Sequence, residues 1–251
     1  MGWPMSETSM RVTTSWDDGH PADRRLADLL AKYDIGATFY VPTRNVEGRP
    51  VMSLADVRAL AEKFEIGGHT EDHLVLPGLG EDEVAAQVGG NKARLEDAIS
   101  GPVTGFCYTR GKHDKSVRAV VRKAGYSYAR TTKNFCADVG LDVYQMPVTL
   151  QFFPHPRSIY MRNLARYGID AARVRLSAVV LSAPSLPRRV RAVSEYCAVH
   201  GEMFHLWGHS WELDEHNLWA DLEGALAHLA ETFPKESFVP NRVLAGGESR
   251  A

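Results

Sequence analysis

The sequence predicts an α/β fold, a single-domain (β/α) barrel with about seven parallel strands, on the basis of three observations. Segments rich in β-branched and aromatic residues alternate with helical patterns of about 10–15 residues, as in βα units. The chain has 251 residues, and one such barrel has roughly 250. No Gly-x-Gly-x-x-Gly pattern follows the first predicted strand, which disfavours an open doubly wound sheet. We expect the barrel over residues 11–242, between tails of residues 1–10 and 243–251.

The first elements carry clear signals. Residues 11–16 are mostly β-branched or aromatic, which is typical of a strand. Pro21 opens a pattern with leucines on one face, which is typical of an amphipathic helix. A second strand is expected at residues 37–41, and Ser53 is placed to cap a helix over residues 54–64.

The same alternation continues along the chain. Further strands are expected at residues 65–67, 104–108, 126–130, 144–153, 202–207 and 236–239. Further helices are expected at residues 81–99, 115–124, 186–200 and 218–232, and residues 154–185 are expected to hold one or two more. In a barrel, the carboxyl ends of all parallel strands meet at one end, where active sites are built.

Composition excludes several classes of protein. Lys and Arg total 29 against 31 Asp and Glu, so the chain lacks the basic surplus of a nucleic-acid binder. Its three cysteines form no Cys-x-x-Cys pair, which speaks against a disulfide framework or a cysteine zinc site. Residues 1–10 lack the order of a signal peptide, and no apolar run is long enough for a transmembrane segment. We therefore expect a cytoplasmic protein.

Two adjacent carboxylates, Asp17 and Asp18, directly follow the first predicted strand. Their position at the carboxyl end of a barrel strand makes them catalytic candidates. The structural alternative is a strand-to-helix turn, since Asp and Gly favour turns and Asp caps helices.

Two histidines, His69 and His73, follow another predicted strand. Their spacing can place both imidazoles on one side of a turn, where they could bind one metal ion; the alternative is two surface histidines in a polar loop. Thr70 stands where the His-Glu-x-x-His zinc proteases carry glutamate, which excludes that class. Asp18 is a candidate third ligand, and such a set leaves positions open for water and substrate.

A third polar group, residues 204–212, follows a late strand. His209 is a candidate for acid–base chemistry, whereas we expect His205 to pack in the core. Trp211 either packs in the core or forms a platform under a sugar ring. His155 lies between two prolines and is either a rim residue of the site or part of a fixed loop.

Two of these segments resemble motifs of the polysaccharide deacetylase family, also called the NodB homology domain. Residues 15–19 read S-W-D-D-G, similar to the family's T-F-D-D-G, and residues 69–73 read H-T-E-D-H, similar to its H-[ST]-x-x-H. The resemblance covers roughly residues 11–209. It implies a distorted (β/α) barrel and a metal-dependent amide or ester hydrolase.

Carried over residue by residue, the resemblance implies that Asp17 is the general base and His209 the general acid. It implies that the metal ligands are Asp18, His69 and His73. The expected ion is Zn²⁺, with Co²⁺, Mn²⁺ and Ni²⁺ as alternatives for this ligand set.

The third motif of the family, R-x-P-[YF]-G, is altered in this chain. Cys107 stands where that motif has the arginine that orients the base, and Thr109 replaces its proline. Arg110 is our candidate to take over the orienting task, with a surface turn as its structural alternative. Tyr108, beside it, is a candidate substrate-binding residue together with Trp211 and His155.

We expect a metal-dependent deacetylase that removes an acyl group, an acetyl group first of all, from an N- or O-acylated sugar or glycan precursor. One alternative keeps the fold and hydrolyses a non-sugar amide, as allantoinase does. Another is a glycan-binding module whose catalysis is impaired. The expected partner is a small-molecule or glycan substrate and no nucleic acid.

Overall fold

A computed structural model of the protein describes residues 10–201 and 203–246. Its seven strands are β1 Arg11–Asp17, β2 Ala37–Val41, β3 Glu65–Gly68, β4 Gly105–Cys107, β5 Tyr128–Arg130, β6 Leu150–Gln151 and β7 Met203–His209. All neighbouring strands are parallel, in the order β5-β4-β3-β2-β1-β7-β6.

Helices connect and cover the strands. They are α1 Asp23–Lys32, α2 Leu54–Ala61, α3 Glu81–Ile99, α4 Lys115–Lys123, α5 Arg157–Arg166, α6 Ala171–Ser182, α7 Leu186–His200, α8 Ser210–Glu215, α9 Trp219–Thr232 and α10 Asn241–Leu244. In the described parts of the chain, none of them is both long and apolar enough to cross a lipid bilayer.

The sheet curls into a distorted barrel, as the sequence predicts. Its two edges are joined by the segment of residues 146–151, which pairs with a different strand at each end. Met146 forms a parallel bridge with Arg130 of β5, whereas Leu150 and Gln151 of β6 pair with β7. We call residues 146–151 the seam, because this segment is what nearly closes the barrel.

Local chemistry explains the helix positions. The predicted cap Ser53 accepts a hydrogen bond from the main-chain N–H of Asp56 at 3.2 Å, and Asp114 caps α4 by accepting from the N–H of Val117 at 2.9 Å. Helix α3 runs unbroken through Gly90. A Cβ there would lie 2.4 Å from a carboxylate oxygen of Glu71, so glycine leaves room for the Glu71 side chain in its present position.

Two predicted strands differ from the structure. In place of a strand at residues 236–239, the chain forms a 3₁₀ turn, Lys235–Ser237, and only one bridge, between Phe238 and Val12. In the long run of residues 144–153 only β6 is a regular strand. There Asp142 caps a 3₁₀ turn, Val143–Gln145, and Pro147 has no N–H to donate to a strand partner.

The predicted tails lie mostly outside the described residues, since 1–9 and 247–251 are not described. Within the predicted C-terminal tail, Val243 and Leu244 belong to α10 and are buried.

Candidate active site

Polar side chains collect where the central strands end. Asp17 ends β1 and pairs in register with His209, which ends β7. His69 follows the last residue of β3, and Cys107 and Arg130 end β4 and β5. The parallel sheet therefore brings residues from five strands to one end of the barrel.

Asp18, His69 and His73 form a buried cluster at this end. Oδ1 of Asp18 lies 3.5 Å from Nε2 of His69 and 3.1 Å from Nε2 of His73. Ligand atoms at zinc distances in a tetrahedral arrangement lie about 3.3 Å apart, so these three atoms fit one divalent cation. The donor set, two imidazole nitrogens and one carboxylate oxygen, is one that zinc and related metals bind.

Neighbouring groups hold these side chains in the orientation that a ligand needs. Nδ1 of His69 lies 2.8 Å from the carbonyl oxygen of Cys107, which can only accept, so Nδ1 carries the proton and Nε2 faces Asp18. The indole Nε1 of Trp211 donates to Oδ2 of Asp18 at 2.9 Å and leaves Oδ1 to face the histidines. Burial alone would raise the pKa of Asp18, but the nearby charge on His209 and hydrogen bonds from the histidines outweigh it and hold that pKa well below its ordinary value.

The backbone around this cluster is locally strained. Asp18, Thr70 and His73 all have positive φ, at 76°, 67° and 60°, a region that residues other than glycine rarely adopt. Such conformations cost about 1–3 kcal/mol each and persist where the surrounding structure enforces them, often at functional sites. Two of the three residues are the candidate ligands Asp18 and His73.

Asp17 forms a buried ion pair with Arg130. The guanidinium donates to Oδ1 of Asp17 and is fully buried, with the ring centroids of Tyr40 and Trp207 5.2 and 4.9 Å away. Sγ of Cys107 lies 3.6 Å from Oδ2 of Asp17. Cys107 and Arg130 are partners in the register of β4 and β5, and both side chains contact Asp17.

Arg110 occupies a different place from the one the sequence suggested. Its Nη2 donates to Oε1 of Glu47 at 2.7 Å, and 60% of its side chain is exposed. Arg110 lines the cavity above the site, but the arginine that contacts Asp17 is Arg130. The guanidinium that contacts Asp17 thus comes from the strand after the one that carries the altered motif.

His209 lies beside this cluster and has its own acidic partner. Its Nδ1 lies 2.9 Å from Oε2 of Glu212, and its Nε2 lies 4.0 Å from Oδ2 of Asp18. Burial disfavours the imidazolium, but the carboxylates of Asp18 and Glu212 outweigh burial and raise the pKa of His209 to about 9. Without a cation on Asp18, the ring therefore holds its proton more strongly than a free imidazole does.

These residues line a cavity of about 410 Å³, and two of the predicted substrate-binding residues also line it. Trp211 stacks under the guanidinium of Arg49, with 3.4 Å from Cζ to the ring centroid. His155 contacts Gln151, with 2.8 Å from Nε2 to Oε1. Tyr108 is different, since its side chain is fully buried in the core and its hydroxyl donates to the carbonyl of Tyr144.

Sequence reasoning missed two residues of this site. Glu212 carries a recognisable signal, because it lies three residues after His209 where the chain turns into α8. Arg130 carries no such signal in the sequence, because nothing distinguishes it from the other arginines in strand-like or helical segments. His205 is buried as expected, with its Nε2 2.8 Å from Oγ of Ser15.

Comparison with known sequences identifies a family for the N-terminal half of this structure. The sequence profile described as polysaccharide deacetylase matches residues 6–129. YxkH of Bacillus subtilis, which carries the polysaccharide deacetylase name, is 23% identical over 137 residues, 54% of this chain and 49% of its own length. Chitin deacetylase 1 of Cryptococcus neoformans is 29% identical over 130 residues, 48% of this chain and 27% of its own length. The matched region thus spans about half of the first relative and about a quarter of the second.

Solved structures show the same fold over nearly the whole chain. A family 4 acetyl xylan esterase from Clostridium thermocellum, solved with a cobalt ion, has a TM-score of 0.59 at 15% identity and covers 93% of this chain and 89% of its own. A family 4 carbohydrate esterase from Streptomyces lividans, solved with acetate, has a TM-score of 0.56 at 16% identity and covers 91% of this chain and 90% of its own. At these identities the likeness establishes the barrel fold.

Proposed function

Because this chain is a member of the polysaccharide deacetylase family, we propose that it is a metal-dependent deacetylase of an N- or O-acylated sugar or glycan precursor. One observation carries the proposal: the buried cluster of Asp18, His69 and His73 lies in one cavity with a carboxylate, Asp17, and with the imidazole of His209, which is paired with Glu212. An acyl-transfer site needs these parts, a cation site, a base and an acid.

The two adjacent carboxylates have separate tasks in this mechanism. Asp18, His69 and His73 would hold a divalent cation, most simply Zn²⁺, which when bound would lower the pKa of water and polarise the acyl carbonyl. Asp17 takes the proton of the attacking water, and the Arg130 guanidinium holds the Asp17 carboxylate in position.

His209 completes the reaction by giving its proton to the leaving amine or alcohol. Glu212 orients the imidazole through Nδ1, so that Nε2 faces the cavity. Trp211 holds Asp18 through its indole N–H and also lines the cavity, where its ring stacks against the Arg49 guanidinium.

Acetate release from acetylated amino sugars, with Zn²⁺ or Co²⁺ added to the purified protein, tests the proposal. Release of one acetate for each sugar deacetylated supports the proposal. Sugar binding without acetate release contradicts it and favours the glycan-binding alternative. Hydrolysis of cyclic non-sugar amides, without any hydrolysis of acetylated sugars, favours the alternative of a non-sugar amide hydrolase.

We expect Asp18→Ala to abolish stoichiometric metal binding, because the ligand oxygen and its negative charge are removed together. The measurement is metal content per chain by mass spectrometry after dialysis. Asp28→Ala, which removes an exposed carboxylate on α1, should keep the metal content of the unchanged protein. Equal metal content in the two variants would show that Asp18 is not a ligand.

We expect His209→Ala to slow amide hydrolysis about 10²- to 10⁴-fold and to slow hydrolysis of an activated ester much less. An amine needs a proton to leave, whereas a stabilised phenolate does not. Only the protonated imidazole can donate, so the amide rate should fall as pH rises through the pKa of His209, about 9 in the absence of a cation. A cation on Asp18 offsets part of the charge that raises this pKa, so the fall should begin at a lower pH in the loaded enzyme.

The control compares pH profiles of kcat/KM for the two substrates. The alkaline fall should be present for the amide and absent for the activated ester. Equal rate losses for both substrates in His209→Ala would argue against a role as proton donor.

A further inference from the structure

A second cavity, of about 500 Å³, adjoins the active-site cavity. We call it the basic groove and define it by Lys112, Lys133, Arg166 and Tyr167, which line it. Its size is within the range of ligand-binding pockets, which measure about 300–1,000 Å³.

Three segments run continuously from one cavity to the other. Each places one residue in the active-site cavity and a nearby residue in the basic groove: Arg110 with Lys112, Thr132 with Lys133, and Arg162 with Arg166. The boundary is polar, since Oγ1 of Thr132 lies 2.9 Å from the hydroxyl of Tyr167. A ligand that extends from the catalytic cluster along α5 therefore enters the basic groove.

The cations of the basic groove differ from those of the active-site cavity. In the cavity, Arg110 pairs with Glu47, and Arg49 pairs with Glu215 at 2.8 Å. By contrast, within residues 10–201 and 203–246, the three cations of the groove form no ion pair, and no carboxylate lines the groove.

This local charge stands out against the whole chain, whose formal net charge is −2. A concave surface lined by charges of one sign concentrates ligands of the opposite sign. Arg162 extends this positive charge to the edge of the active-site cavity, because within the described residues it too has no carboxylate partner.

We propose that the basic groove binds an anionic group, a phosphate or a carboxylate, carried by the acylated substrate. This inference rests on the proposed deacetylase function and deepens it: the substrate is an acylated sugar with a negative charge on the side remote from the reacting acyl group. Lys112, Lys133 and Arg166 supply the charge, and the hydroxyl of Tyr167 is a further hydrogen-bond donor.

The test compares N-acetylglucosamine with two charged forms, one phosphorylated on its primary hydroxyl and one carrying a lactyl carboxylate. We expect a higher kcat/KM for at least one charged form, through a lower KM. The double variant Lys133→Ala/Arg166→Ala should raise KM for that form by about tenfold and leave the neutral sugar within about twofold. The charged form that responds identifies the anionic group.

A matched control removes the same charge elsewhere. Lys123 of α4 and Arg188 of α7 are exposed, so Lys123→Ala/Arg188→Ala should leave every KM unchanged. An equal kcat/KM for charged and neutral sugars, or an equal rise in KM in both double variants, would overturn the proposal.

Binding to the metal-free protein separates this inference from the function on which it rests. Calorimetric titration should show tighter binding of a charged sugar than of the neutral one, and weaker binding in the groove variant only. If this holds while no sugar is hydrolysed, the groove proposal stands and the deacetylase proposal fails. Indistinguishable affinities overturn the groove proposal whatever the activity.

Discussion

Asp17→Asn is expected to lower kcat by about 10²- to 10⁴-fold while the protein keeps its metal. It should stay folded but with a lower free energy of unfolding, because the buried Arg130 guanidinium loses its counter-charge. An amide cannot accept the proton of the attacking water at neutral pH, but its oxygen can still accept the hydrogen bond from Arg130. Asp18, His69 and His73 are unchanged by this substitution, so the cation site remains.

Three measurements on one preparation check this result: kcat for acetate release, metal content per chain, and the circular dichroism spectrum. Asp28→Ala serves again as the matched control, with all three quantities unchanged. A variant that is folded, metal-loaded and as active as the original protein would remove Asp17 as the base.

Arg130→Met is expected to lower the free energy of unfolding by about 3–5 kcal/mol, because it leaves the Asp17 carboxylate buried without its partner. The guanidinium is fully buried, so water cannot take its place readily. Activity should fall as well, since Asp17 loses the contact that holds it.

The double variant Asp17→Asn/Arg130→Met distinguishes this cause from simple loss of packing. Without the carboxylate there is no uncompensated charge, so the double variant should unfold at a higher urea concentration than Arg130→Met. Equal midpoints for the two variants would mean that packing of the Arg130 side chain near Tyr40 and Trp207, and not charge, accounts for the loss of stability. Arg122→Met, at an exposed arginine of α4, is the control and should change the midpoint little.

The parts of this site that could be predicted from sequence are local. His69 and His73 lie within a few residues of each other, and Asp18 follows Asp17, so short motifs contain the ligand set and its neighbour. The predicted barrel fold then places these separate motifs together, because the carboxyl ends of all its parallel strands meet at one end.

Arg130 could not be predicted, because its contact with Asp17 depends on the curl of the whole sheet. Four strand spacings separate β5 from β1 in the sheet order, which is about 19 Å in a flat sheet. The two side chains touch only because the sheet bends the ends of these strands towards each other. The altered motif pointed to Arg110 because that arginine is near in sequence, whereas the contact is made by one that is near in space.

The seam, residues 146–151, separates one part of the cavity lining from the catalytic groups along the chain. The proposed proton and metal chemistry belongs to the continuous strands β1, β3, β5 and β7 and to the residues that directly follow them. Gln151, His155 and Arg162, in contrast, lie on the seam and on the chain that leaves it through α5. Insertions or deletions after the seam can therefore change this part of the cavity lining without moving a catalytic group.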